Sequence, residues 1–370
     1  MAKSKAPGHD IIVIGASAGG VPALIEICRA LPSDLEAAVF VVVHTSPTSP
    51  GVLPQILGRS GPLSCSFPKD GGIIETGRIY VAPPDHHMLL TGDSVHLTRG
   101  PKENGFRPAV DPLFRTAARA FGSRVIGVVL SGGLDDGTEG LLFIKQVGGI
   151  AVVQDPAEAE FPSMPASAVE AVEVDHIVNI KQMSGLLERL THERPAQGAF
   201  VMPKNLPDEP ETAAVAQTGL KDKTMPGPPT PLTCPECGGS LWETTHDQRV
   251  ARYRCHVGHS YTPKGLLVTK SAEVESALWS ALRTLEENAE LRRRMAKRAS
   301  QGKLNGVAEQ YERAAADAEK RATVIREVLM TEREGNGDGD NGQVRGDMSG
   351  DGASKNALQK AKLAGRRRRK

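Results

Sequence analysis

Ile11-Ile12-Val13-Ile14-Gly15-Ala16-Ser17-Ala18-Gly19-Gly20 is the stretch of sequence that decides the fold. Four consecutive β-branched residues predict a buried strand, and the small residues that follow predict a tight turn into a helix. The pattern Gly-x-Ser-x-Gly at such a turn lifts a serine hydroxyl clear of the edge of a parallel sheet. Ser17 is therefore a candidate nucleophile. Two other interpretations remain open, since similar glycine patterns open dinucleotide-binding folds and a serine also suits a helix N-cap.

Short apolar runs alternate with helical patterns between residues 10 and 192. The runs are rich in β-branched residues, as in strands that are covered on both faces of a sheet. Strand and helix in regular alternation predict an α/β fold with a doubly wound, mostly parallel, Rossmann-like sheet. Residues 63–98 differ, because short alternating segments and turn residues there predict a hairpin-rich insertion. The predicted strands are residues 11–14, 38–43, 125–130, 150–153 and 176–180, and the predicted helices are residues 20–31, 112–121, 137–147, 165–172 and 183–192.

Composition excludes several classes of protein. A net charge of +1 and an aromatic content of 4% argue against stable nucleic-acid binding. No apolar run approaches the roughly 20 residues that a membrane-spanning helix needs. Residues 1–10 also lack the apolar core of a signal peptide. These features predict a cytoplasmic protein, in which clustered cysteines bind a metal rather than form disulfides.

The changes in composition along the 370 residues predict more than one domain. Apolar positions at helical spacing near the C-terminus predict a helical hairpin or coiled coil, which would suit self-association. The predicted segments are a tail (1–9), the α/β domain (10–192), a Pro-rich linker (193–232), a Cys/His zinc-ribbon-like module (233–262), a helical region (263–332) and a disordered tail with a basic C-terminus (333–370).

Residues that could activate Ser17 follow two of the predicted strands. A nucleophilic serine needs a base within hydrogen-bond reach and a third group that orients the base. His44 follows the strand at 38–43, and Asp135 and Asp136 follow the strand at 125–130. Ligands of parallel sheets bind at these strand ends, so a Ser-His-Asp triad is one interpretation. A loop histidine and an aspartate N-cap are the alternatives.

Five motifs then occur in the order of a known family. Together they resemble the catalytic domain of the bacterial chemoreceptor methylesterases, the CheB-type family, over residues 10–192. The motifs are Ile14-Gly15-Ala16-Ser17-Ala18-Gly19-Gly20, Val43-His44-Thr45, Arg107-Pro108-Ala109-Val110-Asp111, Leu130-Ser131-Gly132-Gly133-Leu134-Asp135-Asp136-Gly137, and Val153-Gln154-Asp155-Pro156 followed by Pro162-Ser163-Met164-Pro165.

The resemblance implies a reaction and a catalytic triad. Ser17 matches the nucleophile of the family, His44 its base and Asp136 the acid that orients the base. The implied reaction is hydrolysis of glutamate γ-methyl esters on methyl-accepting chemotaxis receptors, with release of methanol and no cofactor. Deamidation of receptor glutamines is a second implied activity. The implied partners are these receptors, and a receptor methyltransferase is a further candidate partner.

Other residues are expected near the substrate and the developing oxyanion. We expect backbone N–H groups around the serine to bind the oxyanion, and Arg107 to face an acidic receptor surface. A structural salt bridge is the alternative for Arg107. The residues expected in this vicinity are Ala16, Ala18, Gly19, Gly20, Gly133 and Arg107.

The sequence departs from the family pattern at three points. Ala18 replaces the usual threonine, and Gly133-Leu134 replaces the usual Met-Gly, so substrate fit or rate is expected to differ. The usual N-terminal receiver domain is not expected, since about ten residues precede the first strand.

The sequence leaves two alternatives to an esterase. One is an inactive scaffold that binds receptors or a methyltransferase. The other is a nucleotide-binding protein, which would need an acidic residue where His44 stands.

Three cysteines and two histidines form the second candidate site. Cys234-Pro235-Glu236-Cys237 is followed, after seventeen residues, by Cys255-His256-Val257-Gly258-His259. A Cys-x2-Cys pair together with a Cys-x3-His pair supplies four ligands for tetrahedral, structural Zn²⁺. The expected ligands are Cys234, Cys237, Cys255 and His259, with His256 as the alternative to His259.

Overall fold

A computed structural model describes residues 8–195, 227–247 and 250–335. Its contacts separate two compact units, the first reaching Gly265 and the second beginning at Leu266. Parts of the predicted tails and of the Pro-rich linker, residues 1–7, 196–226 and 336–370, lie outside the described residues.

Strands and helices alternate through residues 8–195, and seven of the strands form one sheet. The strands are β1 (Ile11–Ala16), β2 (Ala38–Val43), β3 (Ser64–Ser66), β4 (Gly72–Ile73), β5 (Arg78–Val81), β6 (His87–Thr91), β7 (Ser94–Thr98), β8 (Val125–Val129), β9 (Ile150–Gln154) and β10 (His176–Val178). The order of the seven strands in the sheet is β10-β9-β8-β1-β2-β5-β3, and each pairing is parallel. This confirms the predicted α/β fold with a mostly parallel sheet.

Helices cover both faces of this sheet. In β1, Ile11 and Val13 pack into one apolar core and Ile12 and Ile14 into the other, because side chains alternate along a strand. The helices are α1 (Gly20–Ala30), α2 (Leu53–Ser60), α3 (Val110–Phe121), α4 (Thr138–Gln146), α5 (Ser163–Ala171) and α6 (Ile180–His192). The first core takes side chains from α3, α4 and α5, and the second from α1, α2 and α6.

The prediction of a hairpin-rich insertion over residues 63–98 is wrong in part. Strands β4, β6 and β7 do form a separate antiparallel sheet, but β3 and β5 extend the main parallel sheet. Strand β5 pairs with β2, and Ile79 and Val81 are buried in the second core. Pairing between strands so far apart along the chain leaves no local periodicity that a sequence pattern could reveal.

A small antiparallel sheet follows within the first unit. Its four strands pair in chain order: β11 (Pro229–Thr233), β12 (Ser240–Asp247), β13 (Val250–Cys255) and β14 (Ser260–Tyr261). Residues 229–232, predicted as the end of the linker, belong instead to β11, because they pair with β12. We refer to residues 229–262 as the module.

Two long helices make up most of the second unit. Helix α7 (Pro263–Gln301) begins in the first unit, and α8 (Asn305–Gly335) follows a short turn. Their buried apolar side chains include Leu282 of α7 and Ala322 and Leu329 of α8, which pack together. No helix in the described part of the chain is long and apolar enough to cross a membrane.

Candidate active site and Cys/His cluster

The turn between β1 and α1 carries Ser17. The N–H of Ser17 donates to the carbonyl oxygen of Ser131 at 3.0 Å, and the Ser131 hydroxyl donates to the Ala18 carbonyl oxygen at 2.9 Å. Gly19 lies in the left-handed region with φ 70°, and a Cβ there would lie 2.6 Å from the Ser131 hydroxyl oxygen. The turn is therefore restricted to glycine at this position. It holds Ser17 partly exposed at the carboxyl edge of the sheet.

Three strand ends bring Ser17, His44 and Asp136 together. The Nδ1 atom of His44 lies 3.2 Å from the Ser17 hydroxyl oxygen, and Nε2 lies 2.7 Å from Oδ2 of Asp136. In the matching tautomer, Nε2–H donates to the carboxylate and Nδ1 accepts from the hydroxyl. The side chains of His44 and Asp136 are 3% and 1% exposed. The arrangement can therefore remove a proton from Ser17 in a site that excludes most water.

Backbone donors hold the Asp136 carboxylate in place. Oδ2 accepts the N–H of Val110 at 2.7 Å, and Oδ1 accepts the N–H groups of Asp111 at 3.3 Å and Gly137 at 3.0 Å. Two of these donors belong to the first turn of α3, where a carboxylate is favourably placed. Asp135 instead accepts a hydrogen bond from the Thr262 hydroxyl at 2.7 Å, and burial raises its pKa. Of the two aspartates, the structure places Asp136 against His44.

Two backbone N–H groups near Ser17 are available to a ligand. The N–H of Ser17 is bound to Ser131, and that of Gly20 donates to the Ser17 carbonyl oxygen at 3.0 Å. Ala16 is fully buried within β1. Among the described residues, the N–H groups of Ala18 and Gly19 donate to no protein acceptor. These two groups are therefore the candidate oxyanion donors, a smaller set than the sequence indicates.

A cleft of about 630 Å³ opens over Ser17 and His44. Ala18, Gly19, Lys102 and Arg107 are among its lining residues, and Nζ of Lys102 donates to Oε1 of Glu236 at 2.9 Å. Gly133, predicted near the substrate, is not among the lining residues. The cleft therefore exposes a candidate nucleophile and a candidate base to a ligand.

Arg107 also makes the structural salt bridge that was its alternative role. Its Nε and Nη2 atoms lie 2.9 and 2.5 Å from Oδ1 of Asp85, and Nη1 donates to the Gly100 carbonyl oxygen at 2.6 Å. Hydrogen bonds from Arg107 and Arg99 hold the pKa of Asp85 below its ordinary value. Arg107 is thus held rigidly where it faces the cleft.

Sequence patterns did not reveal two side chains of the loop before Arg107. The Phe106 ring stacks on the His44 ring, with centroids 3.9 Å apart and planes at 5°. Asn104 has φ 51°, and its Nδ2 donates to Oδ1 of Asp136 at 3.5 Å. The one available signal was proximity to the Arg107-Pro108 motif, because the loop itself carries no periodicity.

The four predicted metal ligands lie within reach of one ion. Nδ1 of His259 lies 3.6 Å from the sulfurs of Cys234 and Cys255, and the sulfurs of Cys237 and Cys255 are 3.7 Å apart. All four ligand atoms lie within 4.8 Å of one another. His256 lies outside this group, with its ring against Trp242. The cluster could therefore hold a metal ion through His259.

Burial makes the cluster unfavourable for free thiolates. It raises the pKa of Cys255 to about 12, with the neighbouring Cys234 contributing in the same direction. A bound cation would favour the thiolate over the thiol in these cysteines, because its positive charge stabilises the thiolate form.

The chain is similar to known proteins over its α/β domain. A family model described as CheB methylesterase matches residues 12–187. A Leptospira interrogans protein provisionally named protein-glutamate methylesterase/protein-glutamine glutaminase is 38% identical over 183 residues, which are 49% of this chain and 95% of that protein. The Pyrococcus horikoshii protein of that name is 35% identical over 185 residues, 49% of this chain and 50% of that one.

A solved structure is also similar. The Thermotoga maritima CheB methylesterase catalytic domain is 31% identical, with a TM-score of 0.47, and the match covers 49% of this chain and 98% of that one. The match to the Leptospira interrogans protein extends over nearly all of that relative. The chain belongs to the CheB methylesterase family.

Proposed function

We propose that the chain is a protein-glutamate methylesterase that acts on methyl-accepting chemotaxis receptors through Ser17, His44 and Asp136. The observation that carries the proposal is the continuous hydrogen-bonded path of 3.2 and 2.7 Å from the serine through His44 to the carboxylate. Membership of the CheB methylesterase family supports the same reaction. The family also supports deamidation of receptor glutamines as a second activity.

The geometry suits a two-step hydrolysis. The Ser17 hydroxyl oxygen attacks the ester carbonyl while Nδ1 of His44 takes its proton, and the N–H groups of Ala18 and Gly19 stabilise the oxyanion. Return of this proton to the leaving oxygen releases methanol and leaves a glutamyl ester on Ser17. Water, activated by His44, then breaks this ester and restores the serine. Asp136 stabilises the imidazolium in both steps.

The cleft favours the esterase over the alternatives. A nucleotide-binding protein would place an acidic residue at the end of β2, where His44 instead contacts Ser17 and Asp136. An inactive scaffold would not need this assembled relay. Lys102 and Arg107 line the cleft and pair with Glu236 and Asp85, so an acidic receptor segment would compete with these two carboxylates for the cations.

Product release tests the proposal. The full chain is incubated with receptor that carries glutamate methyl esters, and methanol is measured. Receptor that carries glutamine at the same positions is the second substrate, with ammonia as its product. We expect methanol from the first substrate. A folded chain that binds the methylated receptor but releases no methanol would support the scaffold instead.

We also propose that the Cys/His cluster binds structural Zn²⁺. In a tetrahedral site with Zn–S of about 2.3 Å and Zn–N of about 2.0–2.1 Å, neighbouring sulfurs lie about 3.8 Å apart and sulfur and nitrogen about 3.6 Å apart. Three of the six separations among the ligand atoms, one of 3.7 Å and two of 3.6 Å, match these values, and all six are within 4.8 Å. Three sulfurs and one imidazole nitrogen complete the coordination, so the site is structural rather than catalytic.

The zinc content of the purified protein should depend on the cysteines of the Cys/His cluster. The purified full chain is expected to hold about one zinc per chain, because four ligands already converge. Cys237→Ser should lower that content by at least about half, whereas Cys65→Ser, at a half-buried cysteine of β3, should not. Elemental analysis of the two variants and the parent makes the comparison. Equal zinc in Cys237→Ser and the parent would contradict the assignment.

The remaining proposals concern organisation, location and partners. We propose that residues 10–192 are the catalytic domain, followed by a zinc-ribbon-like module and a helical region. Reduced thiols in the cluster suit the cytoplasm. Apolar side chains exposed on the helices, including Val274, Trp279 and Leu291, suit self-association or binding of a receptor methyltransferase.

A further inference from the structure

One turn of the α/β domain lies between the triad and the module. We refer to residues 102–106 as the bridging turn, which is closed by paired backbone hydrogen bonds between Glu103 and Phe106 of 2.9 and 3.2 Å. On its triad side, Phe106 stacks on His44 and Asn104 donates to Asp136. The bridging turn thus contacts two members of the triad without supplying a reacting atom.

The opposite side of the bridging turn is bound by the module. The N–H of Asn104 donates to the Ser260 carbonyl oxygen at 2.7 Å, and the N–H of Ser260 donates to the Lys102 carbonyl oxygen at 3.3 Å. The N–H of Thr262 donates to the Asn104 side-chain oxygen at 2.8 Å. Ser260 directly follows the ligand His259, so the residues that bind the turn belong to the strand that leaves the cluster.

The module also inserts an arginine into the α/β domain. The Arg252 side chain of β13 is 2% exposed and ion-pairs with Asp111, with Glu103 at 3.1 Å and with Glu139 at 2.7 Å. Arg115 of α3 pairs with the same Glu103 at 2.6 Å and Glu139 at 3.1 Å. We call these five residues the buried ion cluster, and each of its side chains is at most 6% exposed.

Arg252 offsets part of the negative charge of the buried ion cluster. The α/β domain contributes three carboxylates and one guanidinium to it, and the module contributes the second guanidinium. Burial would raise the pKa of Glu103, but Arg115 and Arg252 together hold it below its ordinary value. Without Arg252, two net negative charges would stay buried, which is strongly unfavourable. The carboxylates would then move to reach water.

Movement of this cluster would reach the triad directly. Asp111 pairs with Arg252 through its side chain and donates to Asp136 through its backbone N–H. Glu103, also paired with Arg252, belongs to the bridging turn. Two paths therefore lead from the module to Asp136 and His44, one through the ion pairs and one through the bridging turn.

Resting on the proposed esterase function, we propose that the module is a metal-dependent positioning element for the triad. Metal held by Cys234, Cys237, Cys255 and His259 keeps Arg252 and Ser260 in place, and these residues keep Asp136 and His44 aligned. The rate of ester hydrolysis in this chain therefore depends on metal at a site whose ligands take no part in the reaction.

Metal depletion of the full chain tests the coupling with two readouts. A chelator under reducing conditions removes the metal, and Zn²⁺ is then restored to half of the sample. We expect methanol release to fall at least about tenfold on depletion and to recover on reloading, since small displacements of catalytic groups are costly. Hydrogen exchange, the second readout, should become at least about tenfold faster over residues 101–107 and stay unchanged in β1 and β8.

The outcomes of depletion decide separate questions. An unchanged rate and unchanged exchange over residues 101–107 in metal-free protein would overturn the coupling. Faster exchange throughout β1 and β8 would also overturn it, because the module would then hold the fold rather than the triad. If the metal-loaded chain releases no methanol, the esterase proposal fails, and the exchange comparison still decides whether the cluster orders the bridging turn.

Arg252 variants test the ion-pair path with metal retained. Arg252→Met is expected to slow methanol release at least about tenfold at a temperature where the variant is folded. It should also move the acid limb of the pH–rate profile to lower pH, because the imidazolium loses an aligned carboxylate. Arg252→Lys should recover part of the rate, since it keeps the charge but not the planar fork.

A neighbouring arginine supplies the matched control. Arg254 lies two residues along β13 and is partly exposed, so Arg254→Met should keep the parent rate and profile. A rate for Arg252→Met within about twofold of the parent, with the same pH profile, would overturn the role of Arg252. Were this variant unable to fold, the metal-depletion experiment would still decide the proposal.

Discussion

Ser17→Ala is expected to lower methanol release from methylated receptor by at least about 10⁴-fold, to the background set by binding and backbone donors alone. The reason is that the hydroxyl oxygen 3.2 Å from His44 forms the acyl-enzyme in the proposed mechanism. Among the described residues, no other hydroxyl forms a hydrogen bond with Nδ1 of His44. The measurement is the initial rate of methanol release at saturating receptor.

A serine away from the cleft is the control for this variant. Ser64 is exposed on the edge strand β3, so Ser64→Ala should keep the parent rate and stability. The Ser17→Ala protein should also still bind the receptor, since the other residues that line the cleft are unchanged. Substantial methanol release by a folded Ser17→Ala protein would rule out Ser17 as the nucleophile.

Asp136→Asn is expected to lower kcat on the order of 10³- to 10⁴-fold with little effect on receptor binding. Oδ1 of Asp136 accepts the N–H groups of Asp111 and Gly137, so the amide oxygen of asparagine is favoured there. The amide nitrogen would then replace Oδ2 and would face, as a donor, both His44 and the N–H of Val110. His44 would have to carry its proton on Nδ1, where it could no longer accept the proton of Ser17.

The adjacent aspartate provides the comparison for Asp136→Asn. Burial raises the pKa of Asp135, and this side chain accepts a hydrogen bond from Thr262 that an asparagine oxygen can also accept. Asp135→Asn should therefore lose less than about tenfold in kcat. Steady-state kinetics of both variants, after thermal unfolding shows that each is folded, test the assignment. A larger loss in Asp135→Asn than in Asp136→Asn would reverse the roles of the two residues.

Local sequence patterns predicted much of the α/β fold. The β-branched run before Ser17 predicted β1, and the alternation of strands and helices predicted a parallel sheet with helices on both faces. Such predictions succeed because period and turn composition are properties of neighbouring residues. They failed for β3 and β5, whose membership of the main sheet depends on pairing with β2 rather than on their own residues.

The resemblance to a family was sufficient to propose the triad residues, but geometry added the detail. The sequence already favoured Asp136 over Asp135 and His259 over His256, and the fold adds the distances that place Asp136 against His44 and His259 beside the three cysteines. Asp135 and Asp136 are adjacent residues of the same type. Their side chains differ because the backbone directs one inward and leaves the other to a different neighbour.

The sequence by itself predicted the strand and the turn at residues 11–20 and made Ser17 a candidate nucleophile, since these predictions depend on residues in direct succession. Tertiary structure alone decided that Phe106 covers His44 and that Arg252 completes a buried ion cluster with Asp111, a residue 141 positions earlier. Contacts across such separations depend on the path of the whole chain. A buried charge meets its partner only after folding has removed both from water, so local sequence does not reveal the pair.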